Sequence, residues 1–202
     1  MIPALALLER YCLKAASRLL RNHGADVPIL FSALLAAEDH RGRSHRGIDW
    51  FSILRAIFKS RRTGGIKGIS TIEQQLVRTV FPRRGVPRWK RKGPELRLAS
   101  QLAVLLPKEV IWAAYLNCAY YGRDYPGYAY IRAKFADRTE ILTELAAAQI
   151  VSCLKYPAPH WETAGWQEVH KRRTAYVLRR LAKLGPPAEW RGVAWAMAHS
   201  EP

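Results

Sequence analysis

Carboxylate groups in strongly basic surroundings are the first candidates for chemistry in this sequence. Glu38 and Asp39 end an apolar segment, and residues 41–67 after them hold eight Lys and Arg and one acid. Glu95 is the single acid among the seven Lys and Arg of residues 83–97. Acids beside cations at helix ends suit acid/base chemistry on a glycosidic or phosphorylated substrate. Surface ion pairs or helix-capping charges are the alternative interpretation.

A glycine-rich basic turn at 60–68 lies just ahead of a predicted helix. It does not match the phosphate-binding pattern GxxxxGK[ST], because Lys67 is followed by Gly68 and Ile69. Glycines before a helix N-terminus can still expose backbone N–H groups to an anion. A flexible loop is the alternative.

The composition is that of a globular chain with a large excess of positive charge. The 202 residues are 49% hydrophobic, while 33 Lys and Arg against 16 Asp and Glu leave a net charge of +17. Nucleic acid, anionic lipid and pyrophosphate-bearing substrates are therefore candidate partners. The three cysteines, Cys12, Cys118 and Cys153, are too few and too scattered for a disulfide framework or a CxxC metal site.

The hydrophobic periodicity predicts a mainly α fold without internal repeats. The segment Ser70-Thr-Ile-Glu73 has the form of a capping box, which starts one of the helices. We expect three parts: an amphipathic N-terminal helix in residues 1–27, a main helical domain in 28–185 and a C-terminal tail in 186–202. The expected helices cover residues 4–22, 29–38, 49–59, 70–81, 95–106, 108–120, 140–154 and 167–183.

The first helix carries apolar residues on one face and a stripe of cations, Arg10, Lys14, Arg18 and Arg21, on the other. Such a helix can lie in an anionic membrane interface, or it can pack on its own domain with a solvated basic face. The sequence contains no run of about 18 apolar residues, so no transmembrane helix is predicted. The apolar run 2–8 lacks the basic leader of a signal peptide, so neither an export signal nor an anchor is evident in the chain.

Four segments resemble, in order, the motifs of the peptidoglycan glycosyltransferases, the family 51 domain of monofunctional transglycosylases and penicillin-binding proteins. Residues 38–49 are similar to ED-x-x-F-x-x-H-x-G-x-D, and residues 68–78 to G-x-S-T-I-T-Q-Q-L-x-K. Residues 91–95 fit R-K-x-x-E, and residues 108–117 resemble K-x-x-I-L-E-x-Y-L-N. Tyr120-Tyr-Gly122, the helix around Glu144 and the run Arg173-x-x-Tyr-Val-Leu extend the resemblance, which covers roughly residues 30–185.

The resemblance implies a lysozyme-like, mainly α-helical fold that polymerises lipid II into β-1,4-linked glycan strands with inversion and releases undecaprenyl pyrophosphate. It implies Glu38 as the general base for the acceptor 4-hydroxyl and Glu95 as the second acid. It also implies a divalent cation, Mg²⁺ or Mn²⁺, near the pyrophosphate, although no metal-ligand cluster is evident in the sequence. The substrate-binding residues it implies are Asp39, His45, Ser70, Thr71, Gln74, Gln75, Arg78, Arg91 and Lys92.

Several positions depart from those motifs. Gly42 replaces the motif-one Phe, which we expect to loosen the loop after Glu38. Glu73 replaces a Thr and adds negative charge near the expected pyrophosphate site. Pro94 lies inside motif three, where only a first helical turn would tolerate it. Ala113 replaces the motif-four Glu, and Arg78 replaces a Lys but keeps its charge.

Three alternatives to the polymerase stay open at this stage. A degenerate relative would bind lipid-linked glycan or a cell-wall partner without turnover, and a lysozyme-like hydrolase would use similar carboxylates. A nucleic-acid-binding module is favoured only by the net charge, because no recognition-helix, zinc or RNP-type pattern is present. The resemblance implies lipid II, the growing glycan strand and an anionic membrane surface as partners. It further implies peripheral attachment to the outer (periplasmic) face of the cytoplasmic membrane.

Overall fold

The computed structural model describes residues 3–63, 70–82, 85–137 and 141–184, and within these residues the regular structure is helical, with isolated bridges but no β-strand. The mainly α fold is thereby confirmed. A 3₁₀ turn spans Gly24–Asp26. The helices are α1 (Pro3–His23), α2 (Val27–Ala37), α3 (Trp50–Thr63), α4 (Ile72–Val80), α5 (Arg88–Leu105), α6 (Lys108–Cys118), α7 (Tyr128–Phe135), α8 (Glu144–Ser152) and α9 (Ala164–Leu184).

Two almost wholly apolar helices form the centre of the fold. Residues 30–36 of α2 and 110–116 of α6 are all buried. A helix that is apolar on every side must be covered on every side. Accordingly, α6 contacts α1, α2, α4 and α7, while α2 also contacts α8 and α9. The C-terminus of α2 and the N-terminus of α4, where the motif residues lie, are thus anchored to this centre.

The apolar face of α1 belongs to the core. Leu8, Cys12 and Leu19 are fully buried, and α1 packs along α6. Its cations at positions 10, 14, 18 and 21 are exposed. Of the two interpretations of this helix, packing on its own domain is therefore the one that the structure shows. The domain boundaries at 27 and 185 stay predictions.

Two helical segments differ from the prediction. α5 begins at Arg88 rather than Glu95, so Pro94 lies inside the helix and not in its first turn. Because Pro lacks an N–H, the carbonyl of Lys90 has no α-helical donor there. α7 was not predicted at all. Residues 60–63 of the predicted basic turn at 60–68 are helical instead, because α3 extends to Thr63. Residues 64–68 of that turn and the tail at 186–202 lie outside the described residues.

Four large apolar residues of α3 lie on the surface and not in the core. Trp50, Phe51, Leu54 and Phe58 are each more than half exposed. The guanidinium of Arg41 lies over the Phe51 ring, 4.6 Å from its centroid. α3 therefore presents an apolar face bordered by cations.

Candidate active site

Glu38 lies at the C-terminus of α2, where the last carbonyl groups of a helix lack internal donors and a negative charge is unfavourable. The guanidinium of Arg173, from α9, offsets both effects. Its Nη2 donates to the Ala37 carbonyl at 2.6 Å and to Glu38 Oε1 at 2.9 Å. The Glu38 side chain keeps 17% of its surface exposed. The Glu38 side chain is thus accessible and held at a fixed place.

The second oxygen of Glu38 is held from α4. Gln75 Nε2 donates to Glu38 Oε2 at 3.2 Å, and the hydroxyl of Tyr115 donates to Gln75 Oε1 at 2.8 Å. Burial, together with the nearby Glu38 charge, raises the pKa of Tyr115 well above its ordinary value, so its hydroxyl stays a donor. The amide orientation of Gln75 is therefore set by α6, and through it the position of the carboxylate.

The other acid is connected to the neighbouring glutamine. Lys92 Nζ donates to Gln74 Oε1 at 2.6 Å, to Glu95 Oε1 at 2.9 Å and to Ser70 Oγ at 3.5 Å. Arg78 Nη1 lies 3.8 Å from the same Glu95 oxygen. Glu95 therefore orients two cations, Arg78 in the last turn of α4 and Lys92 near the start of α5.

The first turn of α4 is anchored by the loop before α3. Thr71 is the N-cap of α4, since its side chain accepts from Gln74 N. The capping box predicted with Ser70 and Glu73 is wrong. The Gly47 carbonyl accepts from Thr71 Oγ1 at 2.8 Å and from Gln74 Nε2 at 3.1 Å. Gly47 has a φ of 80°, and a Cβ there would lie 2.5 Å from the Ala99 carbonyl oxygen, so only glycine fits this crossing.

A buried chain of charged groups lies behind Glu38. The Asp39 carboxylate contacts His45 Nε2 at 3.0 Å and accepts from Ile72 N at 3.3 Å. His45 Nδ1 faces Lys108 Nζ at 3.5 Å, which fits a ring that carries its proton on Nε2. Lys108 also pairs with Glu73, which is fully buried. The added carboxylate at position 73 is therefore paired with a cation inside the protein and not exposed to a ligand, while its negative charge near the expected pyrophosphate site stays a prediction.

Asp49 closes the loop that carries His45. It accepts from Ser52 N at 3.0 Å and from Ser52 Oγ at 2.5 Å, and Arg41 Nε lies 3.3 Å away. Burial acts to raise the pKa of Asp49, but the hydrogen bonds from Ser52 and the Arg41 charge outweigh it, so the pKa lies below its ordinary value. Asp49 therefore stays ionised and stabilises the start of α3.

The loop after Glu38 is tightly packed at Gly42. Gly42 is buried, and a Cβ there would lie 2.6 Å from Leu35 Cδ2 and 3.4 Å from the Trp112 ring. Trp112, in place of the Leu of the motif, fills this region and packs edge-on against Phe31. The expectation that Gly42 loosens the loop is therefore not what the structure shows.

The predicted site residues line two spaces. One is a polar cleft, which Arg55 and His40 border as well. In this cleft the pKa of His40 is lowered by partial burial and by the charges of Arg180 and Arg55. The other is a mainly apolar cavity between α4 and α5. The cleft contains Glu38, Asp39, Ser70 and Thr71, and the cavity contains Arg78, Arg91 and Glu95. Gln74, Gln75 and Lys92 make the hydrogen bonds described above, and His45 lies behind Asp39.

The divalent cation implied by the resemblance finds no suitable cage among the described residues. The one converging group of potential ligands there is Asp39, His45 and Asp49, with ligand atoms within 4.8 Å of one another. These atoms are already engaged by protein donors, and the cations Arg41 and Lys108 adjoin them. The group does not fit a resident Mg²⁺ or Mn²⁺, which prefers free carboxylate and water oxygens.

Three residues that complete the site were not predicted: Lys108, Tyr115 and Arg173. Each lies in a segment that carries the family resemblance, and Lys108 and Tyr115 are named positions of motif four. The spacing of the motifs was the available indication, but it does not specify which side chains turn towards Glu38 or His45. Ala113 is fully buried in the core.

The comparisons with known proteins agree on one family. The sequence model of the transglycosylases matches residues 13–182. Proteins named biosynthetic peptidoglycan transglycosylase are similar: one from Mannheimia succiniciproducens is 33% identical over 159 residues, 78% of this chain and 64% of that protein. Another, from Pseudomonas putida, is 31% identical over 157 residues, 77% of this chain and 66% of that protein. A third, from Xanthomonas campestris, is 33% identical over 163 residues, which are 80% of this chain and 65% of that protein. The chain thus spans slightly less than two thirds of their length.

Proposed function

Because the chain belongs to the transglycosylase family, we propose that it is a peptidoglycan glycosyltransferase that polymerises lipid II into β-1,4-linked glycan strands. The observation that carries this proposal is the pair of adjacent glutamines on α4. Gln75 holds Glu38, and Gln74 holds the Lys92 ammonium that contacts Glu95. One helical turn thus supports both a candidate base and a cationic group for a leaving pyrophosphate.

In the proposed reaction Glu38 takes the proton from the 4-hydroxyl of the acceptor sugar. The hydroxyl oxygen attacks the anomeric carbon of the donor with inversion, and the bond to undecaprenyl pyrophosphate breaks with its electron pair. Arg78, Arg91 and Lys92 stabilise the charge that develops on the leaving group, because fixed cations cost no reorganisation at that moment. Glu95 orients Lys92 and Arg78.

No step of this mechanism depends on a divalent cation. Mg²⁺ or Mn²⁺ bound to the pyrophosphate of the substrate stays a prediction from the family resemblance. The three basic side chains named above supply the positive charge that the leaving group requires.

We further propose that the protein attaches peripherally to the outer face of the cytoplasmic membrane. Among the described residues, no helix combines the length and apolar character that crossing a bilayer needs. The exposed face of α3, with Trp50, Phe51, Leu54 and Phe58, supports the attachment, since aromatic and apolar side chains next to cations suit an anionic interface. The exposed cations of α1 add charge, whereas the apolar face of α1 is occupied by the core.

Polymerisation of labelled lipid II, with and without Mg²⁺, tests the function. We expect glycan strands from the wild type, no polymer from Glu38→Gln with lipid II binding retained, and normal polymer from the control Glu109→Gln. Unchanged turnover in Glu38→Gln would remove Glu38 from its role. Binding of lipid II without polymer would identify a degenerate relative, and release of short fragments from peptidoglycan would identify a hydrolase. Salt-dependent binding of duplex tighter than that of lipid II would favour the nucleic-acid interpretation.

A further inference from the structure

Two loops meet on the surface in a region that the proposed reaction does not use. One is residues 119–127, between α6 and α7, and the other is residues 153–163, between α8 and α9. Ala158 N donates to the Tyr121 carbonyl at 2.7 Å, and an isolated parallel bridge joins Gly122 to Ala158. We call the surface formed by these two loops the loop junction.

The loop junction displays a tryptophan beside a polar pair. Trp161 is 78% exposed, and its ring packs edge-on against the His160 imidazole, with the ring centroids 4.6 Å apart. His160 Nδ1 lies 2.7 Å from Asp124 Oδ2, which connects the two loops a second time. Within the described part of the chain, His160 Nε2 and Asp124 Oδ1 have no other partner, so both atoms are available to a ligand beside the Trp161 ring.

The loop that carries Trp161 is held on both sides of this residue. Trp166 Nε1, from the first turn of α9, donates to the Pro157 carbonyl at 3.0 Å. Lys134 Nζ, from α7, pairs with Glu162 Oε1 at 2.5 Å. Because these contacts fix the loop before any ligand arrives, binding at Trp161 has little loop entropy to overcome.

Charge distinguishes the loop junction from the rest of the protein. The two loops hold Arg123 and Lys155 against Asp124 and Glu162, which gives a formal net charge of zero, whereas the whole chain carries +17. An anionic membrane or a nucleic acid would bind preferentially to the basic surfaces elsewhere. A neutral ligand with an apolar face and hydroxyl groups is the better match, because the indole offers apolar contact area and the polar pair offers hydrogen bonds.

We propose that the loop junction is a binding site for the glycan strand. One pyranose ring stacks on Trp161, and its hydroxyl and acetamido groups hydrogen-bond to Asp124 and His160. The inference rests on the proposed function, because that function makes a β-1,4-linked amino-sugar chain the product.

Helix α9 connects the loop junction to the candidate active site. It begins at Ala164, and Arg173, which holds Glu38, lies nine residues further on. At a rise of about 1.5 Å per residue, this separation is about 14 Å along the helix axis. A strand that leaves the active site along α9 passes Trp161, so the loop junction holds the product and not the reacting sugars.

Titration of the intact protein with β-1,4-linked N-acetylglucosamine oligomers of two to six sugars tests the proposal without lipid II. The seven tryptophans are labelled with ¹⁵N, and their indole N–H signals are followed by NMR. We expect the Trp161 signal, identified by its absence in Trp161→Phe, to shift in a saturable manner. A Trp161 signal that does not move, or shifts confined to other tryptophans, would overturn the proposal.

Variants measured by calorimetry separate a specific site from general stacking on exposed rings. Trp161→Ala should weaken oligomer binding at least about fivefold, because an aromatic anchor is lost. Trp89→Ala removes a tryptophan of α5 that is 74% exposed, so it is the matched control and should bind like the wild type. Equal losses in the two variants, or no loss in Trp161→Ala, would contradict the assignment. The wild-type titration does not depend on the folding of any variant.

The binding experiment and the polymerisation assay fail independently. Saturable binding at Trp161 without polymerisation of lipid II would support the loop junction and refute the proposed function. Polymerisation without binding at Trp161 would refute the loop junction and leave the proposed function standing. Where both hold, Trp161→Ala should give shorter strands at an initial rate within twofold of the wild type, and strands of wild-type length would contradict the holding of the product.

Discussion

Removing the Lys108 ammonium should leave the Glu73 carboxylate buried without its cationic partner. Glu73 has no exposed surface, and Lys108 is the cation that pairs with it. Breaking a buried pair by deleting one partner costs about 3–5 kcal/mol, because the remaining charge stays desolvated and uncompensated. For Lys108→Met this is a large part of a domain stability of roughly 5–15 kcal/mol. It corresponds to a fall in Tm of roughly 6–20 °C.

The cost should be asymmetric between the two partners. The Lys108 side chain is 18% exposed and also approaches His45, so Glu73→Gln leaves a cation that can turn towards water. We expect a loss of about 1–2 kcal/mol for Glu73→Gln. The double variant Lys108→Met/Glu73→Met should recover most of the loss of Lys108→Met, because apolar replacement of a whole buried pair is often neutral.

Urea unfolding of the wild type, Lys108→Met, Glu73→Met and the double variant measures the coupling of the pair as a double-mutant cycle, and Glu73→Gln is measured beside them. The control is Lys134→Met, which breaks the more exposed pair of Lys134 and Glu162, with 23% and 32% of their side-chain surfaces accessible. That variant should lose no more than about 1 kcal/mol. If Lys108→Met loses no more than Lys134→Met, the reasoning from burial is refuted.

Three further changes probe the loop and the base. Tyr115→Phe removes the donor to Gln75. In initial-rate assays it should slow lipid II polymerisation about 5- to 10-fold, which corresponds to the loss of one hydrogen bond of about 1 kcal/mol. An unchanged rate would show that Tyr115 does not hold Gln75 in place for the reaction. Because the pKa of Asp49 is lowered on folding, the ionised Asp49 stabilises the fold above about pH 4, and this stabilisation is lost as the pH falls through the folded pKa. In Asp49→Asn, Tm measured against pH should no longer show this fall at acid pH. Gly42→Ala should lose about 1–3 kcal/mol in chemical unfolding, whereas Gly24→Ala, with open space around it, should not; equal effects would show that the packing at position 42 is not tight.

The fold class and most helices follow from the periodicity of apolar residues, but periodicity does not say what covers an apolar face. It predicts a helix over 49–59 with Phe51, Leu54, Ile57 and Phe58 on one face. Of these side chains the structure describes Phe51, Leu54 and Phe58, and they lie on the surface. For α1, by contrast, it leaves interface and core open, and the side chain of Leu8 is buried against the domain. Burial depends on which helices meet, and that is a property of the whole chain.

The beginning of α5 illustrates a conflict between local and tertiary preferences. Gly93 and Pro94 disfavour a helix, and residues 88–93 show no apolar periodicity, so sequence reasoning starts the helix at Glu95. In the structure that stretch is helical and Lys92 reaches Gln74. The helix forms despite a propensity cost of about 1 kcal/mol for glycine and about 3 kcal/mol for proline, and long-range contacts of this kind offset that cost.

For the site, the motifs identify Glu38, Glu95 and the polar residues of α4, and the structure connects each acid to α4: Glu38 through Gln75, and Glu95 through Lys92 and Gln74. The partner of Glu73 could not be foreseen, because Lys108 lies 35 residues further along the chain. The same holds for Arg173, which is 135 residues from Glu38. Sequence spacing specifies residue types within a motif, whereas contacts between motifs depend on how α4, α6 and α9 surround the end of α2.

The adjacent glutamines of α4 make the two acids energetically dependent on each other. Any movement of this helical turn displaces the partners of Glu38 and of Glu95 at the same time, because Gln74 and Gln75 are consecutive residues. A ligand that orders the turn from the Glu95 side reduces the entropy that a second ligand must lose at Glu38. Reciprocity requires the converse effect of equal size. We therefore expect two ligands that contact Glu38 and Glu95 to bind cooperatively, because this helix turn is the element that their sites share.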